Sequence, residues 1–408
     1  MRLATDPVSQ TSAVSSAAAT AAARALQSAK IIVAGGGQIG SMAVPLLARL
    51  PGVAEMLIAD PQTYGPENVR TQNIGSADVG RAKAVVLAEQ AMRIRGTRDG
   101  FKAVAFTDRI EHLPWGRIRD ADLICAGVDS KHARLEIQYI AWRLGIPWID
   151  AGVQGAGMLA RVNVYVPGPD SPCLECTFGP RDRQLLSHSY ACDGKLKEAA
   201  PTNSPAPLGA LAASMLALEA QKFLAGELDA TLIGRQWVLE ARRHQHFVNT
   251  LRRNPACDFD HHTWSIERLA TPLRTLGDLA EHGRRFLATQ DSLAVRMERN
   301  PWVMCLVCPQ CGRQAPTLRL QRRLATLPSQ HCETCGPTAD PAKVLEPTGF
   351  FLQPQLPLAA SRADLLARPL ASVGLRRSDV VTLVSPHGHR HVELANLIEE
   401  NSGESEGE

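Results

Sequence analysis

Apolar residues occur in two spacings along this chain. Short unbroken runs, Lys30–Ala34 (Lys-Ile-Ile-Val-Ala), Met56–Ala59 and Leu123–Gly127, predict buried strands. Between them, apolar positions three and four apart predict helices over Ser41–Leu50, Ala82–Arg95 and Glu136–Leu144. Pro147–Asp150 opens a further strand, Val162–Val166 reads as another, and Leu208–Leu224 reads as a long helix. Strands alternating with helices predict an α/β fold with a doubly wound, mostly parallel sheet. The pattern changes after residue 265. Residues 265–298 read as helical, 305–336 carry paired cysteines, and a Pro-rich remainder contains a strand-like run, Val380–Val384. The Ala/Ser-rich start and the acidic tail Glu399–Glu408 read as disordered.

Composition narrows this picture. A chain of 408 residues has room for one large domain and one or two small ones. Its 45% hydrophobic and 21% charged content is ordinary for a globular protein. A net charge of +3 argues against nucleic acid or a membrane surface as partner. No run of about 18 apolar residues predicts a membrane span. Residues 1–29 include Asp6 and Pro7 and lack a hydrophobic block, which argues against a signal peptide and for a cytoplasmic location. Seven of the ten cysteines form or adjoin close-spaced sets, a pattern that points to metal rather than disulfides.

Gly35, Gly37 and Gly40 make a G-x-G-x-x-G turn between a strand and a helix. Glycines let backbone approach phosphates, and a helix N-terminus offers free N–H groups to an anion. Asp60 ends the second strand, where a carboxylate can take a ribose hydroxyl pair. To this point an NAD- or FAD-dependent oxidoreductase fits equally well. Asn68, Arg70, Gln72 and Lys83 follow, then Asp129 and Arg134 beyond the Leu123–Gly127 strand. These supply cations and amides for a triphosphate and a carboxylate for Mg²⁺. Hydride transfer has no use for such a clamp, whereas loss of pyrophosphate from ATP does.

In this order the motifs resemble the ThiF/MoeB/ubiquitin-activating enzyme superfamily. The matching segments are Gly35-Gly36-Gly37-Gln38-Ile39-Gly40, Asp60, Asn68-Val69-Arg70-Thr71-Gln72, Gly80-Arg81-Ala82-Lys83, Val128-Asp129-Ser130, Pro172-Cys173-Leu174-Glu175-Cys176 and Ala217-Leu218-Glu219-Ala220-Gln221-Lys222. The resemblance covers roughly residues 22–262. It implies a Rossmann-like adenylation domain over 22–264, preceded by a disordered leader (1–21). A helical linker (265–300), a zinc ribbon (301–340), a small C-terminal module (341–398) and the acidic tail (399–408) follow. It implies ATP, with Mg²⁺, as the reagent and the C-terminal carboxylate of a small ubiquitin-like or sulfur-carrier protein as the group adenylylated. A homodimer and a conjugating enzyme as further partner are implied too, as in bacterial ubiquitin-like conjugation systems, whose activating enzymes carry extra domains. The family's phosphate-binding arginine falls three residues after the Asn. Thr71 holds that place here, and Arg70 is the nearest counterpart. Cys192, in the polar loop Ser187–Asn203, stands where relatives carry a thioester-forming cysteine. The rival readings are a catalytically inactive scaffold of the same fold and the oxidoreductase.

Two metal sites are expected. Cys308-Pro309-Gln310-Cys311 and Cys332-Glu333-Thr334-Cys335 present two knuckles twenty residues apart, the pattern of a zinc ribbon with four thiolates about 2.3 Å from the ion. Cys305 reads as packed. Cys173 and Cys176 need partners. By resemblance these come some seventy residues later, where Cys257 fits, Asp260 replaces the second cysteine, and His261 or His262 supplies the fourth ligand; the site expected is Cys173, Cys176, Cys257 and His261. His387, His389 and His391 alternate and read as one face of a solvated hairpin.

Overall fold

A computed structural model of the protein describes residues 28–97, 100–179, 182, 204–287, 292–324, 332–335, 346–347 and 351–395. The chain divides into two units. One takes the chain up to Leu113 with Ile118–Thr263; the other takes Pro114–Arg117 and everything from Trp264 onward.

The first unit is built on β1 (Ala29–Ala34), β2 (Val53–Ala59), β3 (Lys102–Phe106), β4 (Leu123–Ala126), β5 (Trp148–Gln154), β6 (Leu159–Tyr165), β7 (Arg235–Glu240) and β8 (Gln245–Thr250). They form one sheet in the order β3-β2-β1-β4-β5-β6-β7-β8. Strands β1 to β5 pair in parallel and β5 to β8 antiparallel. The parallel strands are apolar because both their faces are covered; β4 is buried at all four positions. The helices are α1 (Gln38–Leu47), α2 (Lys83–Arg95), α3 (Lys131–Leu144) and α4 (Ala206–Leu224). Val44 and Leu47 of α1, Leu87 of α2 and Leu216 and Phe223 of α4 share one core with Ile31, Val33, Met56 and Ile58 of the sheet. The strand order reverses between β1 and β4, the place where doubly wound sheets leave a crevice for a ligand.

The second unit corrects the expected run of linker, ribbon and terminal module. Helix α5 (Leu276–Leu287) lies inside the stretch read as wholly helical, but β9 (Ile266–Arg268) precedes it and β10 (Ala294–Arg296) follows it. These short strands join β15 (Gln355–Pro357), β16 (Val380–Ser385) and β17 (Gly388–Glu393) in a sheet ordered β15-β10-β16-β17-β9. A second sheet pairs β11 (Trp302–Val307) with β12 (Gln314–Leu320), β13 (Glu346–Pro347) and β14 (Leu352–Gln353). Trp302, Leu320, Leu356, Leu383 and Val392 belong to one core with Leu276 and Leu279 of α5, so the three expected pieces interleave. His391 is not solvated: it is buried and stacks on Trp264 with ring centroids 3.8 Å apart.

Candidate functional site

The crevice begins at the glycine turn. Gly35 takes φ +91°, a backbone state open to glycine at little cost, and a Cβ on it would meet Gly127 and Val128 at 3.1 Å. A Cβ on Gly40 would stand 1.9 Å from the Gly35 carbonyl, so α1 can start this close to the turn only with glycine there. A Cβ on Gly37 would meet nothing within 4 Å. Gly37 is also the N-cap of α1 and offers no side-chain cap to the first N–H groups of the helix. That is a cradle for an anion.

Asp60 closes the cradle from the end of β2. Its carboxylate accepts the Gly36 N–H at 2.7 Å and the Gln62 N–H at 2.8 Å. Burial raises its pKa above 3.8; the Asp129 charge adds to the rise, while the two amides and Lys83 oppose it. Lys83 is buried at the start of α2, and its Nζ donates to Gln62 Oε1 at 2.8 Å. Tyr64 is buried beside it and donates its hydroxyl to the Gly36 carbonyl at 3.0 Å. Asp129 is exposed, just past β4, and precedes Ser130, whose Oγ accepts the Ala133 N–H and caps α3. The structure therefore brings together Gly35, Gly37, Gly40, Asp60, Lys83 and Asp129. Gln62 and Tyr64 escaped the sequence reading; the signal was their proximity to Asp60 in the chain.

The segment from Gly65 to Gly75 docks against α1 for a local reason. Pro45 has no N–H to give the Ser41 carbonyl four residues earlier. Asn73 Nδ2 donates to that carbonyl at 3.4 Å, and the Asn73 N–H donates to Ser41 Oγ at 3.0 Å. Asn68 organises the turn: its Oδ1 accepts the Gly65 N–H and its carbonyl the Gln72 N–H. Gln72 Oε1 is buried without a hydrogen-bond partner among the described residues, an acceptor left for a donor. Arg70 is exposed and makes no ion pair among the described residues. Arg134, expected among the phosphate cations, is turned inward: its Nε donates to Asp150 Oδ1 at 2.8 Å and its Nη2 to the Ala151 carbonyl. Cys192 lies outside the described residues.

Two ligand quartets are assembled, one in each unit. Each has one ligand atom per residue within 4.8 Å of the others. In the first, Cys173 Sγ is 3.8 Å from Cys176 Sγ and 3.7 Å from Cys257 Sγ, and Cys176 Sγ is 3.6 Å from His261 Nε2. In the second, Cys308 and Cys335 stand at 3.9 Å, Cys311 and Cys332 at 3.6 Å. Four thiolates tetrahedrally placed 2.3 Å from an ion stand about 3.8 Å apart, so both sets fit zinc. Asn254 donates its N–H to Cys176 Sγ at 3.4 Å, which favours a thiolate there. Burial and Arg253 lower the His261 pKa to about 4, so the ring is neutral and able to ligate at pH 7. His261 adopts φ +57°, uncommon for a residue with a Cβ. Asp260 is committed elsewhere, receiving both arms of Arg143 at 2.6 and 2.9 Å.

The sheet order, the glycine turn and the acid at the end of β2 define a Rossmann-like, doubly wound α/β unit. This chain belongs to the ThiF family, whose profile matches residues 10–259. It is 25% identical over 252 residues to ubiquitin-like modifier-activating enzyme 5 of Dictyostelium discoideum, covering 57% of this chain and 61% of that protein. It is 27% identical over 153 residues to sulfur carrier protein ThiS adenylyltransferase of Bacillus subtilis (strain 168), covering 37% and 44%. The chain thus spans less than two thirds of the length of either relative. A crystal structure of E. coli MccB with ATP matches at 20% identity and a TM-score of 0.45, covering 59% of this chain and 68% of that one. No described helix is long and apolar enough to cross a membrane.

Proposed function

We propose that the first unit adenylylates the C-terminal carboxylate of a ubiquitin-like or sulfur-carrier protein with ATP. The observation that carries this reading is the open, uncapped α1 N-terminus at Gly37 with Asp60, Lys83 and Asp129 around it. Asp60 would receive the ribose hydroxyls while the helix N–H groups and Lys83 meet the phosphates. A carboxylate oxygen of the carrier attacks the α-phosphorus, the α–β phosphoanhydride breaks, and pyrophosphate leaves with its charge balanced by Lys83. The donor set suits Mg²⁺: Asp129 lies near enough to Asp60 to raise its pKa, and two acids beside a phosphate cradle call for a cation. Asp129 would hold that ion, which would neutralise developing phosphate charge.

The two quartets would hold structural zinc. In its fuller form the reading passes the acyl group to the Cys192 thiolate as a thioester with release of AMP, in a homodimer that hands it to a conjugating enzyme.

Asp129→Ala should lower carrier-dependent ATP–pyrophosphate exchange by at least about a hundredfold, with the thermal transition unchanged. Undiminished exchange would refute the assignment. The same samples, read by mass spectrometry, should show a thiol-labile carrier adduct that is missing in Cys192→Ser; wild type without it is an adenylylating enzyme only. The inactive-scaffold reading draws on one observation, the exposed Arg70, and predicts ATP binding without carrier-stimulated exchange.

A further inference from the structure

A cavity of about 190 Å³ opens beside the start of α3, lined among others by Lys131, Arg134, Arg161, Tyr165, Phe178 and Gln236. It is smaller than a small-molecule site of roughly 300 Å³ or more and suits a single side chain. Two of its lining residues converge on Asp150 of β5, which is fully buried, with Arg134 on one carboxylate oxygen at 2.8 Å and Arg161 on the other at 2.7 Å. Burial works against that carboxylate, but the two arginines outweigh it and hold its pKa below the ordinary value. Both guanidiniums lie over Gly152, where a Cβ would meet Arg161 Nε at 3.1 Å and Arg134 Nη2 at 3.2 Å. The absent side chain leaves them room.

Two features of this cavity are not used by the adenylylation site. Lys131, which pairs with Asp182, and the two arginines give three positive charges against two negative ones, so among the described residues one positive charge is uncompensated. Tyr165 lines the cavity, and its hydroxyl is buried with no hydrogen-bond partner among the described residues. Its ring is fixed by stacking on Trp148 with centroids 4.8 Å apart. An unpartnered buried hydroxyl beside an uncompensated cation lacks an anionic acceptor. Lys131 also stands two residues after Asp129, so the cavity opens within a few extended residues, at about 3.3 Å each, of the place where the carrier's terminus would react.

We propose that this cavity reads the carrier's tail, taking an acidic side chain that lies a few positions before the terminal carboxylate. The carboxylate accepts from Tyr165 and from the free N–H groups of Arg161, and a basic side chain at that position is repelled. The inference rests on the carrier reading above. Arg161 and Tyr165 are then specificity-determining residues that touch the tail without touching the reacting atoms.

The test uses full-length protein and synthetic ten-residue peptides ending in glycine. Each carries Glu, Gln or Arg at one of positions two to six from the end. Binding is read by fluorescence anisotropy and activity by peptide-dependent ATP–pyrophosphate exchange. At one position Glu should bind about tenfold or more tighter than Arg, with kcat/KM following. Tyr165→Phe, which keeps the stacked ring, should reduce that preference severalfold, and Arg161→Gln should nearly abolish it. Exchange that proceeds with no charge preference at any position overturns the pocket assignment and leaves the carrier reading standing. A charge preference in binding without exchange does the reverse. Charge-blind binding, or a preference that survives both substitutions, also sinks the proposal.

Discussion

Cys173, Cys176, Cys257 and His261 are anchored to the body of the first unit. Cys308, Cys311, Cys332 and Cys335 gather at the end of β11, where it pairs with β12 and β13. The distances within the two quartets are nearly equal, yet their surroundings differ. Gln138 of α3 accepts the Leu174 N–H at 2.6 Å and donates to Glu175 at 2.8 Å, which pins the first knuckle to a buried helix. His261 sits edge-on to the fully buried Trp142 at 5.3 Å, and Phe259 packs on the same indole at 5.9 Å. Around the second quartet, among the described residues, Cys308 and Cys332 are buried and Cys311 exposed, and the polar contacts are tight turns at Cys308 and Gly312, the Arg313 ion pair with Glu333 and its bond to Thr334. Where apolar packing already fixes the ligands, metal adds to a fold that exists. Where it does not, metal binding and folding are one event.

The largest effect should therefore come from the ribbon. Cys332→Ser should remove one of two zinc ions per chain and erase amide-exchange protection at the cysteine-bearing ends of β11 and β12, while β1 to β6 keep theirs. Elemental analysis with site-resolved hydrogen exchange reads both. Full protection of the β11–β12 turn in a zinc-free variant would break the comparison.

His261→Ala is the matched change in the first quartet and should do less. One zinc ion should be lost or bound weakly, at a cost of about 2 kcal/mol. For a unit of this size that is on the order of 4–8 °C in the thermal transition. Nucleotide binding at the Gly35–Gly40 cradle should persist, as a thermal shift with ATP would show. A loss of exchange protection around the first quartet like that expected of the ribbon would mean that metal, not the Trp142–Phe259 packing, builds this corner.

The same contrast separates what is legible in the sequence from what is not. Gly35, Gly37, Gly40, Asp60, Lys83 and Asp129 are readable because each sits at the end of a strand or the start of a helix, and doubly wound sheets gather those ends at one edge. The paired knuckles are readable because ligand spacing within a loop is local. The fourth ligand of the first quartet is His261, as the sequence reading takes it, although His262 is its neighbour; the structure seats it with a φ of +57° while Arg143 holds Asp260. Strands β9, β10 and β15 have three residues each, too few to show an alternation, so the second unit reads as separate pieces. The burial of His391 under Trp264 joins residues far apart in the chain, and no spacing reports that. The inward turn of Arg134 likewise depends on Asp150, which lies on a different element.

The smallest effect should come from Asp260→Asn, which removes a contact beside the first quartet while sparing its ligands. Arg143 is nearly buried and Asp260 about half exposed, with side-chain exposures of 9% and 51%. Water screens the pair, so its loss should cost no more than about 1 kcal/mol. Burial raises the Asp260 pKa, but the Arg143 and His262 N–H bonds outweigh this and hold it below 3.8. A folded pKa below the unfolded one stabilises the native state fully above the ordinary carboxylate value, and the contribution fades as pH falls through the depressed pKa. In wild type the transition temperature should therefore drop more steeply below about pH 4 than in Asp260→Asn, while the two curves run parallel from pH 5 to 8. Zinc content should be unchanged at neutral pH, because His261 is already positioned by its packing on Trp142. A variant that lost zinc at neutral pH would show that the ion pair, rather than the aromatic packing, aims the fourth ligand.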